Sequence, residues 1–168
     1  MEKAIFLDRD GVINNNENHY YITQPHDLLL NKGITEGLKT FQDLGFHLIV
    51  ISNQSGISKK LYSKEDCDRV HDRLLRLLSR KGVHIDEIYY CPHHPEVENC
   101  FCRKPDSLLF EKALARFDID PAQSWMIGDS ERDIMAAEKA GMKTILISPN
   151  EDIRKYSDLI IQGGSIPQ

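Results

Sequence analysis

Residues 6–11, Phe-Leu-Asp-Arg-Asp-Gly, carry an apolar segment straight into two carboxylates one residue apart. Side chains alternate along an extended chain, so Asp8 and Asp10 leave the strand end on one side, close together. Two like charges placed so repel and need a cation. A hard divalent ion with oxygen ligands satisfies them, and Mg2+ suits a site that also takes a phosphate. Gly11 then lets the backbone turn sharply away. An ordinary acidic turn at a strand end is the competing reading of this hexapeptide, and the rest of the chain decides between the two.

Lys3 to Leu7 is short, apolar and followed by glycine, which predicts a buried strand at the centre of a sheet. Val12 to Asn31 has no periodicity and is rich in Asn, His and Tyr, so a long loop is expected beside the acids; its aromatic content argues against disorder. Ile34, Leu38, Phe41 and Leu44 recur at helical spacing and Gly45 ends the pattern, after which His47 to Ser52 reads as a second buried strand. The polar run Ser52-Asn53-Gln54-Ser55-Gly56 follows at its carboxyl end, where open α/β sheets place ligand loops. Ser63 with Asp66 resembles a helix start, and Cys67, Val70, Leu74 and Leu77 form an apolar face, so Cys67 reads as core. Glu87 to Tyr90 is a third strand.

Three cysteines and a choice of two histidines then fall within the twelve residues 91–102, the composition of a closed Cys3His zinc site. Such a site has no open position, so the metal would be structural, holding an irregular loop with little core of its own. Arg103-Lys104-Pro105 follows directly, and a fixed loop would fix where those two cations point. Ser107 to Phe117 reads as a helix and Ser124 to Gly128 as a strand, whose end places Asp129 just beyond it and Asp133 one helical turn later. Lys143 to Ile147 is a fifth strand and Asp158 to Ile161 a sixth, with Gly163-Gly164 and the tail beyond expected to be loose. Strands alternating with helices throughout give an α/β chain, a Rossmann-like three-layer sandwich with a mainly parallel central sheet, expected as a single domain over 1–168. Asp8, Ser52 and Asp129 all fall at strand carboxyl ends, and that common edge argues for one active site.

A net charge of -5 with no basic stripe argues against nucleic acid as a partner. No apolar run reaches the length of a membrane span, and the chain enters its first strand too early for a signal peptide, so no membrane partner and a cytoplasmic location are expected. In a reducing compartment clustered cysteines favour metal over disulfide.

Asp8-Arg9-Asp10-Gly11, Ser52, Lys104 and Gly128-Asp129 resemble, in order, the four motifs of the haloacid dehalogenase superfamily of phosphatases, across nearly the whole chain. Ser52 to Gly56, Tyr90 to Pro95 and Cys102 to Pro105 are similar to its small group without a separate cap domain, the D-glycero-D-manno-heptose 1,7-bisphosphate and histidinol-phosphate phosphatases. The resemblance implies that Asp8 attacks phosphorus to give an aspartyl phosphate while Asp10 serves as acid and then base. It implies Mg2+ on Asp8, the backbone carbonyl of Asp10 and Asp129, with Asp133 just outside that set. Ser52, Asn53 and Lys104 would hold the phosphoryl group, and Cys91, His93, Cys100 and Cys102 would hold Zn2+; spacing alone does not choose His93 over His94. Asn18, His19, Tyr21, Gln54, Ser55 and Arg103 are the expected substrate contacts. The chain departs from the group in having Ser130 where a lysine is frequent and in matching its Asp-His-Gly-Tyr segment only loosely, as Asn18 to Tyr21. The substrate is expected to be a small phosphorylated metabolite, with heptose bisphosphate ahead of histidinol phosphate, and the protein a monomer. A zinc-stapled binding module and a phospho-acceptor receiver domain are the non-hydrolytic alternatives. Neither explains a second acid at Asp10 beside an Arg-Lys pair held by a metal loop.

Overall fold

The structure, a computed structural model, describes residues 1–163. Five strands form one parallel sheet, β1 (Lys3–Leu7), β2 (Phe46–Asn53), β3 (Glu87–Cys91), β4 (Trp125–Gly128) and β5 (Lys143–Leu146), in the order β3-β2-β1-β4-β5. The helices are α1 (Ile34–Asp43), α2 (Lys64–Ser79), α3 (Leu108–Arg116), α4 (Glu131–Lys139) and α5 (Ser157–Ile161).

Alternation along the strands divides the core in two. Ile5 and Leu7 of β1, with Leu48 and Val50 of β2, pack against Leu38 and Phe41 of α1, Val70 and Leu74 of α2, and Ile160 of α5. Ala4 and Phe6, with Ile49 and Ile51, pack on the opposite face against Phe110 and Ala113 of α3 and Ala136 and Ala137 of α4. Strands apolar on both faces are what a sheet covered by helices on both sides requires. This is the expected three-layer sandwich, without a cap domain among the described residues.

Two expectations are corrected. Asp158 to Ile161 is not a sixth strand but lies within α5; a run of three apolar residues has no period that separates strand from helix. Here only Ile160 is buried, while Ile161 is half exposed. On α2, Leu78 rather than Leu77 completes the fully buried stripe. The expectation for Gly164 and beyond falls outside the described residues. Among the described residues no helix is long and apolar enough to cross a membrane.

Strand order reverses between β1 and β4, since the chain passes outward to β2 and β3 and returns to β4 on the other side of β1. The carboxyl edge at such a switch point is where open α/β sheets form a crevice. The loop 12–31 closes over this edge as a folded flap, with Val12, Ile13, Ile22 and Leu28 buried in the core beneath α1 and α2.

Candidate active site

At the switch point β1 delivers Asp8 and β4 delivers Asp129, while the first turn of α4 adds Asp133. Carboxylate oxygens of the three lie within 4.8 Å of one another. Two glycines make that approach possible. A Cβ on Gly11, whose φ is +83°, would stand 2.1 Å from Asp129 Oδ2, and one on Gly128 would stand 2.3 Å from the Cβ of Asp133. Asp133 also completes a capping box, its carboxylate accepting from the Ser130 backbone N–H at 3.1 Å.

Lys104 is the cation inside this group. Its ammonium is buried and makes three bonds, to Asp8 Oδ1 at 2.9 Å, Asp133 Oδ1 at 2.7 Å and the Ile51 carbonyl at 2.6 Å. Three donors and three acceptors leave it rigid. Burial alone would lower its pKa, but Asp8 and Asp133 outweigh burial and raise it. One ammonium does not balance three carboxylates. Burial, partly offset by Lys104 and reinforced by Asp133 and Asp129, lifts the Asp8 carboxyl from its ordinary 3.8 to about 8. Burial and Asp133 likewise lift Asp129 to about 6. An all-oxygen donor set short of positive charge fits a hard divalent cation.

Asp10 lives in the opposite environment. Arg9 donates to both its oxygens, Asn14 Nδ2 donates at 3.0 Å and Gln54 Nε2 at 2.9 Å. Burial would raise this carboxyl, but Arg9 and those hydrogen bonds hold it below the ordinary value. Two acids separated by one residue are thus pushed apart in acidity, the pattern by which a site divides labour between like groups.

Both acids line one cleft of about 180 Å³ together with Tyr21, Asn53, Ser55, Arg103, Lys104 and Asp129. Tyr21 leans on Ser55, hydroxyl to hydroxyl at 3.4 Å. The cleft therefore gathers most of the expected residues, but four stand elsewhere. Ser52 is buried behind the wall, its Oγ accepting from Gln54 Nε2 at 2.8 Å, and Gln54 is buried with it, accepting from the Tyr62 hydroxyl at 2.6 Å. Asn18 and His19 line a separate shallow pocket with His26 and Asp27. In their place the flap turns Asn16 and Tyr20 into the cleft, and α4 adds Ser130, Arg132 and Asp133. Nothing local in a loop without periodicity tells which side chains turn inward. For Asp133, its position one turn into a helix that starts at a strand end was a usable signal.

Beside the cleft, Cys91, His93, Cys100 and Cys102 bring one ligand atom each within 4.8 Å of the others. Cys91 Sγ lies 3.6 Å from Cys100 Sγ and 3.1 Å from Cys102 Sγ, and His93 Nδ1 lies 3.5 and 3.2 Å from Cys91 and Cys102. Tetrahedral ligands at zinc–sulfur distances of about 2.3 Å would stand about 3.7 Å apart, so the cluster is nearly closed on a metal-sized centre. His93 joins it, whereas His94 turns to accept from the Glu96 backbone at 3.2 Å. Backbone N–H groups of Arg103 and Cys102 overcome burial and lower the Cys100 thiol to about 7, toward the thiolate that binds metal.

A HAD-hydrolase-like family model matches residues 101–155. The chain is 39% identical, over 95% of its length and 93% of the other's, to a D-glycero-beta-D-manno-heptose-1,7-bisphosphate 7-phosphatase of Haemophilus ducreyi. It is 34% identical over 96% of its length to 46% of a histidine biosynthesis bifunctional protein of Legionella pneumophila. Among solved structures, a D,D-heptose 1,7-bisphosphate phosphatase from B. bronchiseptica, complexed with magnesium and phosphate, superposes with a TM-score of 0.82 at 30% identity, covering 100% of this chain and 89% of that one.

Proposed function

Because the chain belongs to the haloacid dehalogenase-like hydrolases, in the family of the heptose-1,7-bisphosphate 7-phosphatases, we propose that it removes the 7-phosphate of D-glycero-D-manno-heptose 1,7-bisphosphate through an aspartyl phosphate. The observation that carries this reading is that Asp8, Asp10 and the Lys104 ammonium share one cleft. Asp8 stands against the Lys104 ammonium at 2.9 Å, where an attacking oxygen and a cation for the phosphoryl group are wanted together. Asp10 stands among donors that keep it a carboxylate, ready as a base.

Asp8 attacks in its ionised form, its proton having left to solvent, and displaces the sugar oxygen from phosphorus while Asp10 gives that oxygen a proton. Asp10 is ionised at rest, so this step needs the negative charge of the arriving phosphate to draw a proton back onto it. In the second displacement Asp10 takes a proton from water as the water oxygen replaces Asp8 on phosphorus. Lys104, exchanging its bond to Asp8 for one to a phosphoryl oxygen, and Asn53 hold the phosphoryl group through both, with Ser52 and Gln54 bracing Asp10 and the wall from behind. Asp8, Asp129 and the backbone carbonyl of Asp10 would hold Mg2+, which when bound offsets charge on the transferring group. Cys91, His93, Cys100 and Cys102 would hold a structural Zn2+. Arg103, with Arg132 on the same rim, meets the phosphate that is not cleaved, and Tyr21 and Ser55 meet the sugar. On this reading the enzyme is a cytoplasmic monomer acting on a small metabolite.

Phosphate release from heptose 1,7-bisphosphate, histidinol phosphate and common sugar monophosphates, with Mg2+ and with EDTA, tests the reading. Mg2+-dependent turnover highest on the heptose bisphosphate is expected. Similarity to the histidine biosynthesis protein makes histidinol phosphate the second substrate to try, and higher kcat/KM on it would replace the first. No release from any of them would overturn both.

A further inference from the structure

Arg9 sits between the two acids, and alternation alone would aim it away from them. It is fully buried, and its guanidinium folds back so that Nε and Nη2 donate to Asp10 Oδ1 at 3.1 and 2.9 Å and Nη2 reaches Oδ2 at 3.1 Å. Its remaining nitrogen, Nη1, lies 3.0 Å from Nε2 of His71 on α2. A guanidinium only donates, so His71 must accept there with an unprotonated Nε2 and carry its proton on Nδ1. The Cys67 thiol lies alongside the ring, 4.0 Å from Nδ1 and 3.9 Å from Nε2.

The histidine is itself held in place. Its ring packs 5.2 Å from that of Tyr90, whose hydroxyl donates to Asp68 one turn earlier on α2. Burial and the neighbouring Arg9 charge lower its pKa to about 3, so it stays the neutral acceptor that Arg9 needs. Asn14 and Gln54 complete the cradle of Asp10 as neutral donors. Arg9 is the charged member, and it depends on an acceptor outside the cleft.

We propose that His71 is a positioning residue for hydrolysis: by accepting from Arg9 it fixes the guanidinium that orients the Asp10 carboxyl toward the reacting oxygens. The inference rests on the reading of Asp10 as acid and base. In the first displacement the Asp8–phosphorus bond forms, the bond to the leaving oxygen breaks, and the proton of Asp10 passes to that oxygen. In the second the water–phosphorus bond forms, the Asp8–phosphorus bond breaks, and a water proton returns to Asp10. A misaimed Asp10 slows the first step for a sugar alkoxide, which needs the proton, and spares it for a nitrophenolate, which leaves without one.

The test compares kcat/KM on heptose 1,7-bisphosphate and on p-nitrophenyl phosphate for wild type, His71→Leu and His71→Gln. Leucine removes the acceptor; the glutamine carbonyl can restore it. His71→Leu is expected to lose about tenfold on the sugar phosphate and less than about twofold on the aryl ester, part of the range general acid catalysis supplies. Rapid mixing of His71→Leu with the aryl ester should show a burst of nitrophenolate, as the base-dependent second step becomes limiting for that substrate. His71→Gln should recover most of the sugar-phosphate rate. A partly misfolded variant would lower both substrates equally, so the ratio is immune to it. Equal losses on the two substrates, or a glutamine variant as impaired as leucine, would overturn the role of His71. Asp10→Asn is run beside them: if it shows no dependence on the leaving group, the reading of Asp10 falls, and that of His71 with it.

Discussion

The carboxylate cluster and the thiol cluster stand side by side at one edge of the sheet, yet they are built in opposite ways. Asp8 comes from the end of β1, whereas Asp129 and Asp133 come from the distant junction of β4 and α4, and both strands reach this edge through fully buried residues, Phe6 and Leu7 on one and Met126 and Ile127 on the other. Cys91, His93, Cys100 and Cys102 come from twelve consecutive residues, with Glu96, Val97, Glu98 and Phe101 exposed between them. The fold shapes the first site whether or not a metal is bound. In the second, buried apolar area is scarce, so a metal bound there would contribute to ordering the loop.

The largest expected effect breaks the first cluster without touching the fold. Asp8→Asn is nearly isosteric but offers no nucleophile, so turnover should fall by about 10⁴-fold or more while circular dichroism stays native. Substantial turnover in folded Asp8→Asn protein would rule out the covalent route.

Cys100→Ser attacks the second cluster. It should abolish bound zinc, measured by elemental analysis, and lower activity indirectly by roughly 10- to 100-fold. The loss should fall chiefly on Arg103, which the structure anchors to the loop through the His93 carbonyl at 3.2 Å, rather than on Lys104, which the sheet itself holds. Full activity in stable, zinc-free protein would show that the loop needs no metal.

Arg103→Ala sharpens the link between the two regions. Removing one charged, forked donor should cost the heptose bisphosphate about tenfold in kcat/KM and a simple monophosphate far less. An equal loss on every substrate would assign this arginine to the cleaved phosphate instead.

The smallest effect is on stability in metal-free protein. Asp8 and Asp129 have pKa values raised to about 8 and about 6, above the ordinary 3.8, so their protonated forms favour the folded state. That contribution is whole below about pH 4 and is lost as pH rises through 6 and then 8. With EDTA, Tm should therefore decline between pH 5 and 9, and Mg2+ should restore more at the upper end, a difference of roughly 5 °C. An Mg2+ effect larger at pH 5 than at pH 9 would contradict this electrostatic account.

The sheet, its order of strands and helices and the acids at its edge were legible because each rests on a local pattern. Two-faced apolar runs marked β1, β2 and β4, and Ser63 with Asp66 marked the capping box of α2. Clustered cysteines marked the thiol loop; their spacing left His93 and His94 open, the resemblance named His93, and that residue is the one grouped with the thiols. What sequence did not disclose is relational. Arg9 reads as a polar residue at a strand end until its partner 62 positions away is seen, and Asp133, legible as an acid near the metal set, shows its ion pair with Lys104 only in three dimensions. The inward members of the flap, Asn16 and Tyr20 rather than Asn18 and His19, follow from how that loop lies against the core.

One pair of hydrogen bonds bears on how such a chain tolerates change. The Asn53 side-chain amide accepts from the Lys104 N–H at 3.1 Å and donates to the Lys104 carbonyl at 3.2 Å, imitating one rung of a strand pair. Cys91, which lies opposite Asn53 in the sheet register, begins the thiol loop, so the excursion from 91 to 104 leaves the sheet and returns to the same rung. Residues inserted near its exposed tip at Glu96–Glu98 lengthen a closed circuit whose two ends do not move, at a cost that grows only slowly with added length. The segment is thus the natural place for this architecture to drift in size, and for an engineer to graft a longer one, while Lys104 stays against Asp8 and Asp133.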